Sequence, residues 1–133
     1  MVALTREQMI NMVEQCYFSN VDHKNLDVIL DCFAHDAVFT VQSAFTSYEG
    51  RDSGIRKFYE SISAGFLKIW HGDFEHIVDV ESQRISTQFN VRRTDLNGAE
   101  ASMSNCNVFR FENGKFKQVF VYASGGSPLV PQD

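Results

Sequence analysis

The sequence lacks the features of several large classes of protein. No apolar run approaches the roughly 18 residues that a membrane-spanning helix needs, and the first residues are too polar for a secretory signal. Lys and Arg are scattered, with Arg56-Lys57 and Arg92-Arg93 as the adjacent basic pairs, and the formal net charge is −5. We therefore expect neither a membrane nor a nucleic acid as a partner.

Patterns of metal ligands, disulfides and phosphate loops are also missing. Cys16, Cys32 and Cys106 are odd in number and far apart, with no CxxC spacing. This favours buried, reduced thiols in a cytoplasmic protein, with a stray disulfide or a reactive thiol as the alternatives. The four histidines show no HxxxH or HxH spacing, and GxSxG, P-loop and GxGxxG motifs are absent. We expect no metal site and no cofactor.

The composition suits one domain with a large aromatic interior. The chain has 133 residues, 44% of them hydrophobic, and twelve are phenylalanine. This length favours a single domain over residues 1–133, with an ordered core at about 5–124. The phenylalanines could wall an apolar cavity as readily as they could fill a core.

Helical periodicity marks the first third of the chain. Thr5 and Gln8 have the spacing of a capping box, and apolar residues then recur every three or four positions to about Asn20. Asn25 is a candidate cap for a second helix, whose expected buried stripe is Leu26, Ile29, Leu30 and Phe33. The short turn between them should place the two helices side by side.

The rest of the chain predicts one more helix and a meander of strands. Residues 37–42 read as a strand and 43–50 as a loop, and a third helix follows with Ile55, Phe58, Tyr59, Ile62 and Phe66 on one face. Alternation then predicts strands at 70–80, 84–93, 99–111 and 116–124, with a hairpin at Asn113-Gly114. The tail 125–133 should lie on the surface. This order predicts an α+β fold, in which a curved, mostly antiparallel sheet is covered by helices and encloses a pocket.

Three stretches resemble the nuclear transport factor 2-like superfamily, which includes SnoaL-like proteins, ketosteroid isomerases and dehydratases. They are residues 17–39, 49–59 and 107–115, the last reading Asn-Val-Phe-Arg-Phe-Glu-Asn-Gly-Lys. The resemblance implies a cone-shaped half-barrel closed by three helices, and a homodimer formed through the outer face of the sheet. It covers nearly the whole chain, but it fixes no single function, because this superfamily supports many.

Two branches of the superfamily imply different site residues. By resemblance to ketosteroid isomerase, Tyr17 and Asn107 stand where groups that bind an oxyanion lie, whereas Val41 occupies the place of the base. By resemblance to scytalone and bile-acid dehydratases, Asp22 and His71 form an acid–base pair. Their resemblance also makes Asn105 or Asn107 a loose match to a pocket asparagine.

Simple alternation leaves the choice of histidine open. Trp70, Phe74 and Val78 share one parity, while His71 falls on the polar parity. A bulge near Gly72 would turn His71 inward, since glycine in a strand often marks one. His76 is the rival, because it has the apolar parity without a bulge; as a buried histidine it would more ordinarily make one structural hydrogen bond.

Asn105 and Asn107 share a strand face with Met103, Phe109 and Phe111. Amides on an apolar face are costly unless they are bonded, so they either line a pocket or pair across the sheet. We expect both asparagines to line a pocket. The other expected lining residues are aromatic or apolar, and the alternative for them is a place in the ordinary core: Trp70, Tyr59, Phe58, Phe89, Met103, Phe120 and Tyr122.

The sequence thus supports three functional hypotheses. The first is a cofactor-independent lyase (dehydratase) or isomerase acting on a small hydrophobic cyclic carbonyl compound. Here Asp22 and His71 transfer protons, and Tyr17 and Asn107 bind the oxyanion. The second is a small-molecule-binding or accessory protein without catalysis, and the third is a polyketide cyclase.

Overall fold

Three helices and a six-stranded sheet make up residues 2–124, the part of the chain that the computed structural model describes. Helix α1 runs through Arg6–Asn11, Met12–Phe18 (with wider, π-type turns) and Ser19–Asp22; α2 is Leu26–Asp31; α3 comprises Gly50–Ile55 and Arg56–Gly65. The strands are β1 Phe33–Val41, β2 Thr46–Glu49, β3 Phe66–Asp79, β4 Arg84–Asp95, β5 Glu100–Glu112 and β6 Lys115–Ala123. The surface position expected for the tail 125–133 lies outside the described residues.

The sheet has the strand order β2-β1-β6-β5-β4-β3. All neighbouring strands are antiparallel except β1 and β6, which are parallel. The sheet curls without closing, and the helices cover its concave face. This confirms the predicted α+β fold, a half-barrel closed by three helices.

The capping box at the start of α1 forms as predicted. The backbone N–H of Gln8 donates to Oγ1 of Thr5 over 3.2 Å, and the N–H of Thr5 donates to Oε1 of Gln8 over 2.9 Å. Asn25 occupies the N-cap position of α2, as predicted, but its side chain makes no capping hydrogen bond. Its side chain instead donates to Oδ1 of Asn20 and ties the two helices together.

Several element boundaries differ from the expectation. Phe33 and Phe66, which were expected on helices α2 and α3, begin strands β1 and β3. The predicted loop 43–50 contains strand β2, which pairs with β1 as a hairpin. An edge strand with polar residues on both faces gives no alternation signal, so the sequence pattern missed it. The Asn113-Gly114 turn is found where predicted, and both residues have positive φ.

Rings from helix α1 and the sheet interlock in the core. The ring of Phe116 lies 4.8 Å from that of Phe109, 5.5 Å from that of Tyr17 and 5.4 Å from that of Phe33. Phe33, Phe109 and Phe116 are fully buried. This cluster forms the part of the core in which helix α1 packs against strands β1, β5 and β6.

The three cysteines are free thiols. Cys32 is buried, whereas Cys16 and Cys106 are half-buried, so the expectation of burial holds fully for Cys32 alone. Burial raises the pKa of the Cys32 thiol to about 12. Because the thiolate is the nucleophilic form, Cys32 is a packing residue rather than a reactive one.

The outer face of the sheet carries apolar side chains. Ile77 and Tyr122 are exposed, and Phe120, two residues before Tyr122 on strand β6, is half-buried. The homodimer implied by the family resemblance stays a prediction, with this face as its candidate interface. Within residues 2–124, none of the helices is sufficiently long and apolar to cross a membrane.

Phe116→Ala should lower the free energy of unfolding by about 3–5 kcal/mol, because it empties a fully enclosed site. Phe120→Ala is the matched control on the same strand and should cost clearly less, since Phe120 lies on the outer face. Urea unfolding of both variants measures the difference. Equal losses would contradict the described direction of these two side chains.

Candidate active site

A cavity of about 240 Å³ lies between the concave face of the sheet and helices α1 and α3. Its lining is mainly apolar and aromatic, with six side chains that carry polar groups: Tyr17, Tyr59, His71, Arg93, Asn105 and Asn107. Cavities of about 150 Å³ admit benzene, so this one has room for a compound of one or two rings. Val41 also lines it, so the place of the isomerase base is apolar.

A bulge in strand β3 turns His71 toward the cavity. Gly72 pairs with Asn90 and Glu75 pairs with Gln88, so two residues of β3 lie opposite Phe89. Asp73, inside the bulge, has a φ of +55°. Alternation therefore reverses at this point, and His71 lines the cavity.

The carboxylate of Asp22 holds His71 by two hydrogen bonds. The backbone N–H of His71 donates to Oδ2 over 3.1 Å, and Nδ1 of the ring lies 2.6 Å from Oδ1. The side chains of His71 and Asp22 are 10% and 16% exposed. Since the carboxylate accepts a hydrogen bond from the Nδ1–H group, the lone pair of a neutral ring lies on Nε2. Asp22 lies behind the imidazole and leaves Nε2 free to contact a ligand.

The hydroxyl groups of Tyr17 and Tyr59 form a hydrogen bond to each other inside the cavity wall. Burial raises the pKa of both phenols, so both stay protonated near neutral pH. Two hydroxyls sharing one bond retain a second O–H proton, which either residue can donate to a ligand.

Asn105 and Asn107 both line the cavity, as the sequence predicts. Oδ1 of Asn105 accepts a hydrogen bond from the backbone N–H of Ser124 over 3.0 Å. Oδ1 of Asn107 is buried and has no partner among the described residues. An unpaired buried amide oxygen costs on the order of 1–3 kcal/mol, and no hydrogen bond to this oxygen holds the amide in its present orientation.

His76, the rival histidine, does not line the cavity. Its Nε2 lies 2.5 Å from Oε2 of Glu14, and its Nδ1 lies 2.8 Å from Oγ1 of Thr87. Both ring nitrogens are thus occupied by protein groups. His76 joins helix α1 to the sheet, as expected of a structural histidine.

Three predicted lining residues point the other way. The prediction for Trp70 is wrong because adjacent residues of a strand face opposite sides, so Trp70 faces outward when His71 faces inward. The Trp70 ring covers Gly72 and lies 4.9 Å from the guanidinium of Arg92. The predictions for Phe120 and Tyr122 are wrong because strand β6 has an extra residue between Phe116 and Gln118. This residue reverses the alternation of β6, so both side chains face outward. Phe58, Tyr59, Phe89 and Met103 do line the cavity.

The sequence interpretation missed one charged lining residue and one contact. Arg93 lines the cavity. It has the same parity on strand β4 as Phe89 and Val91, so alternation along the strand could have predicted its inward direction. The Tyr17–Tyr59 hydrogen bond joins residues 42 positions apart, and no local pattern could reveal it. Among residues 2–124, no group of three His, Cys, Asp or Glu side chains is arranged to hold a metal ion.

A family model described as a SnoaL-like domain matches residues 14–119. The chain belongs to the SnoaL-like family. This places it in the nuclear transport factor 2-like superfamily, as the resemblance in sequence implied. No curated protein sequence matches the chain significantly.

Solved structures share the fold at low sequence identity. A proposed isomerase from Bacillus subtilis is 13% identical, with a TM-score of 0.80 over 89% of this chain and 87% of that one. A proposed polyketide cyclase from Xanthomonas campestris is 17% identical (TM-score 0.78; 88% and 90% covered). BvnE pinacolase from Penicillium brevicompactum is 15% identical (0.75; 89% and 86%). Identities this low establish the SnoaL-like fold and no particular reaction.

The two buried histidines should be opposite tautomers when neutral. Asp22 should hold the proton of His71 on Nδ1, whereas Glu14 should hold that of His76 on Nε2. Long-range ¹H–¹⁵N correlation spectra of the imidazoles distinguish the two forms. In Asp22→Asn, the amide N–H can face Nδ1 and should move the His71 proton to Nε2, with His76 unchanged. A wild-type His71 protonated on Nε2 would contradict the described pair.

Stability should fall in alkali because of the buried phenols. Their pKa values are raised in the folded chain, so above about pH 10 the folded state binds more protons than the unfolded state. The free energy of unfolding then decreases as the pH rises from about 10 toward the folded pKa values. Urea unfolding at pH 9 and 11 measures this decrease, which Tyr17→Phe should reduce. Tyr122→Phe, on the outer face, is the control, and an equal effect there would refute the assignment.

Proposed function

We propose that the protein is a cofactor-independent lyase that removes water from a small cyclic compound with a hydroxyl group β to a carbonyl. The observation that carries this proposal is the Asp22–His71 pair: the carboxylate holds Nδ1, and the imidazole lines a mainly apolar cavity. A cavity of about 240 Å³ supports a small cyclic substrate.

In the proposed reaction, His71 acts first as a base and then as an acid. Nε2 removes the proton from the carbon α to the carbonyl, giving an enolate and an imidazolium that the Asp22 carboxylate stabilises. The imidazolium then returns this proton to the departing β-hydroxyl group. The C–O bond breaks, a C=C bond forms and water leaves, so atoms and charges balance without another reactant.

The enolate oxygen needs hydrogen-bond donors that are already in place. The Tyr17–Tyr59 pair supplies an O–H group, because burial keeps both phenols protonated. The amide of Asn107, which is buried in the same cavity, can supply an N–H group after rotation of its side chain. Donors fixed in an apolar site stabilise a developing oxyanion strongly.

Val41 in the cavity argues against an isomerase that takes its base from the first strand. Isomerisation through His71, or a cyclase reaction, would begin with the same α-proton removal. The relatives described as a proposed isomerase and a proposed polyketide cyclase are compatible with that shared first step. We prefer the dehydratase because His71, once it has taken the α-proton, can deliver this proton to the departing hydroxyl group.

Turnover of 3-hydroxycyclohexanone to 2-cyclohexenone tests the whole reaction, and α-hydrogen exchange of cyclohexanone in D₂O tests the first step. His71→Gln should lower both rates by about 10²–10⁴-fold, the usual contribution of a general base. His76→Gln is the matched control and should retain both, since His76 lies outside the cavity. Loss of activity in His76→Gln with retention in His71→Gln would refute the proposed base.

A further inference from the structure

Arg93 occupies the row of the sheet next to that of His71, on the same concave face. On strand β4 the inward side chains are Phe89, Val91 and Arg93. Val91 pairs with His71, while Arg93 pairs with Ile69 on one side and Ala101 on the other. Successive inward rows are two residues apart, or about 7 Å. Asn105 and Asn107 lie on the opposite side of the His71 row, opposite Phe89 and Thr87.

The guanidinium of Arg93 has no anionic partner in the described chain. It lies 5.0 Å from the ring of Phe66, and its Nε is buried without a hydrogen-bond acceptor. None of the ion pairs formed by residues 2–124 includes Arg93. The next residue of inward parity on the strand is Asp95, and its carboxylate makes no ion pair with Arg93. A buried N–H donor without an acceptor is costly.

We propose that Arg93 binds a carboxylate group of the substrate. The planar fork of a guanidinium matches a carboxylate with two parallel hydrogen bonds, and Nε is one of the donors it would use. Arg93 is the one charged side chain among the described lining residues, so the site suits a monoanion.

This inference rests on the proposed function, because it concerns the substrate of the same cavity. It narrows the substrate to a small cyclic carbonyl compound that carries a carboxylate on the side of the ring facing Arg93, one inward row of the sheet away from His71. The carboxylate would lie at Arg93, the reacting carbon at His71, and the carbonyl oxygen toward the hydroxyl and amide donors. One ion pair would thus orient the ring for proton removal.

Binding of 3-oxocyclohexanecarboxylate and of its methyl ester, measured by calorimetric or NMR titration, tests the proposal without turnover. The wild type should bind the acid more tightly than the ester. Arg93→Gln should raise the Kd of the acid about 10- to 100-fold, as expected for loss of a charge-assisted pair, and should leave that of the ester unchanged. Arg93→Lys should restore part of the affinity.

Arg92→Gln is the matched control, because the side chain of Arg92, next to Arg93 in the chain, faces outward and lies over Trp70. It should change neither Kd. Equal wild-type affinity for acid and ester, no measurable binding of either, or an equal loss in Arg92→Gln would overturn the role of Arg93. Arg93-dependent binding without α-hydrogen exchange would support this role and refute the lyase, so the two failures are distinguishable.

Discussion

The carboxylate of Asp22 joins the end of helix α1 to strand β3, and the cavity depends on that junction. Strand β3 is an edge strand, so the backbone N–H of His71 faces a side on which no further strand offers a carbonyl acceptor. The carboxylate of Asp22 accepts this hydrogen bond instead. The same carboxylate fixes the imidazole. An acidic side chain at the C-terminal end of a helix is disfavoured by the helix dipole, so its place is better explained by the histidine than by the helix.

Polar groups are distributed through the cavity in an order that suits one ligand orientation. The inward rows of strands β4 and β5 place Arg93 on one side of the histidine and the two asparagines on the other. Val91 and Met103 share the row of His71, and the rings of Phe18 and Phe89 pack against His71 at 4.8 and 5.7 Å. Apolar packing of this kind lowers the local dielectric constant, which strengthens each hydrogen bond that a ligand would form.

The sequence predicts the fold better than the walls of the site. Capping, periodicity and the Asn113-Gly114 turn locate most helices and strands, because these signals are local. A glycine in strand β3 correctly indicates the bulge that turns His71 inward, yet the same bulge excludes Trp70. The extra residue in β6 has no such marker, so Phe120 was misplaced. The Tyr17–Tyr59 hydrogen bond depends on how helices α1 and α3 pack, which residue spacing does not encode.

A crystal structure with 2-cyclohexenone, the product of the simplest dehydration, tests most directly whether His71 is placed to move the α-proton. We expect the α-carbon to lie within about 3.5 Å of Nε2 of His71, as proton transfer requires. We also expect the carbonyl oxygen to accept a hydrogen bond from the Tyr17–Tyr59 pair or from Asn107. A ring bound in the cavity with its α-carbon out of reach of Nε2, and its oxygen away from these donors, would contradict it.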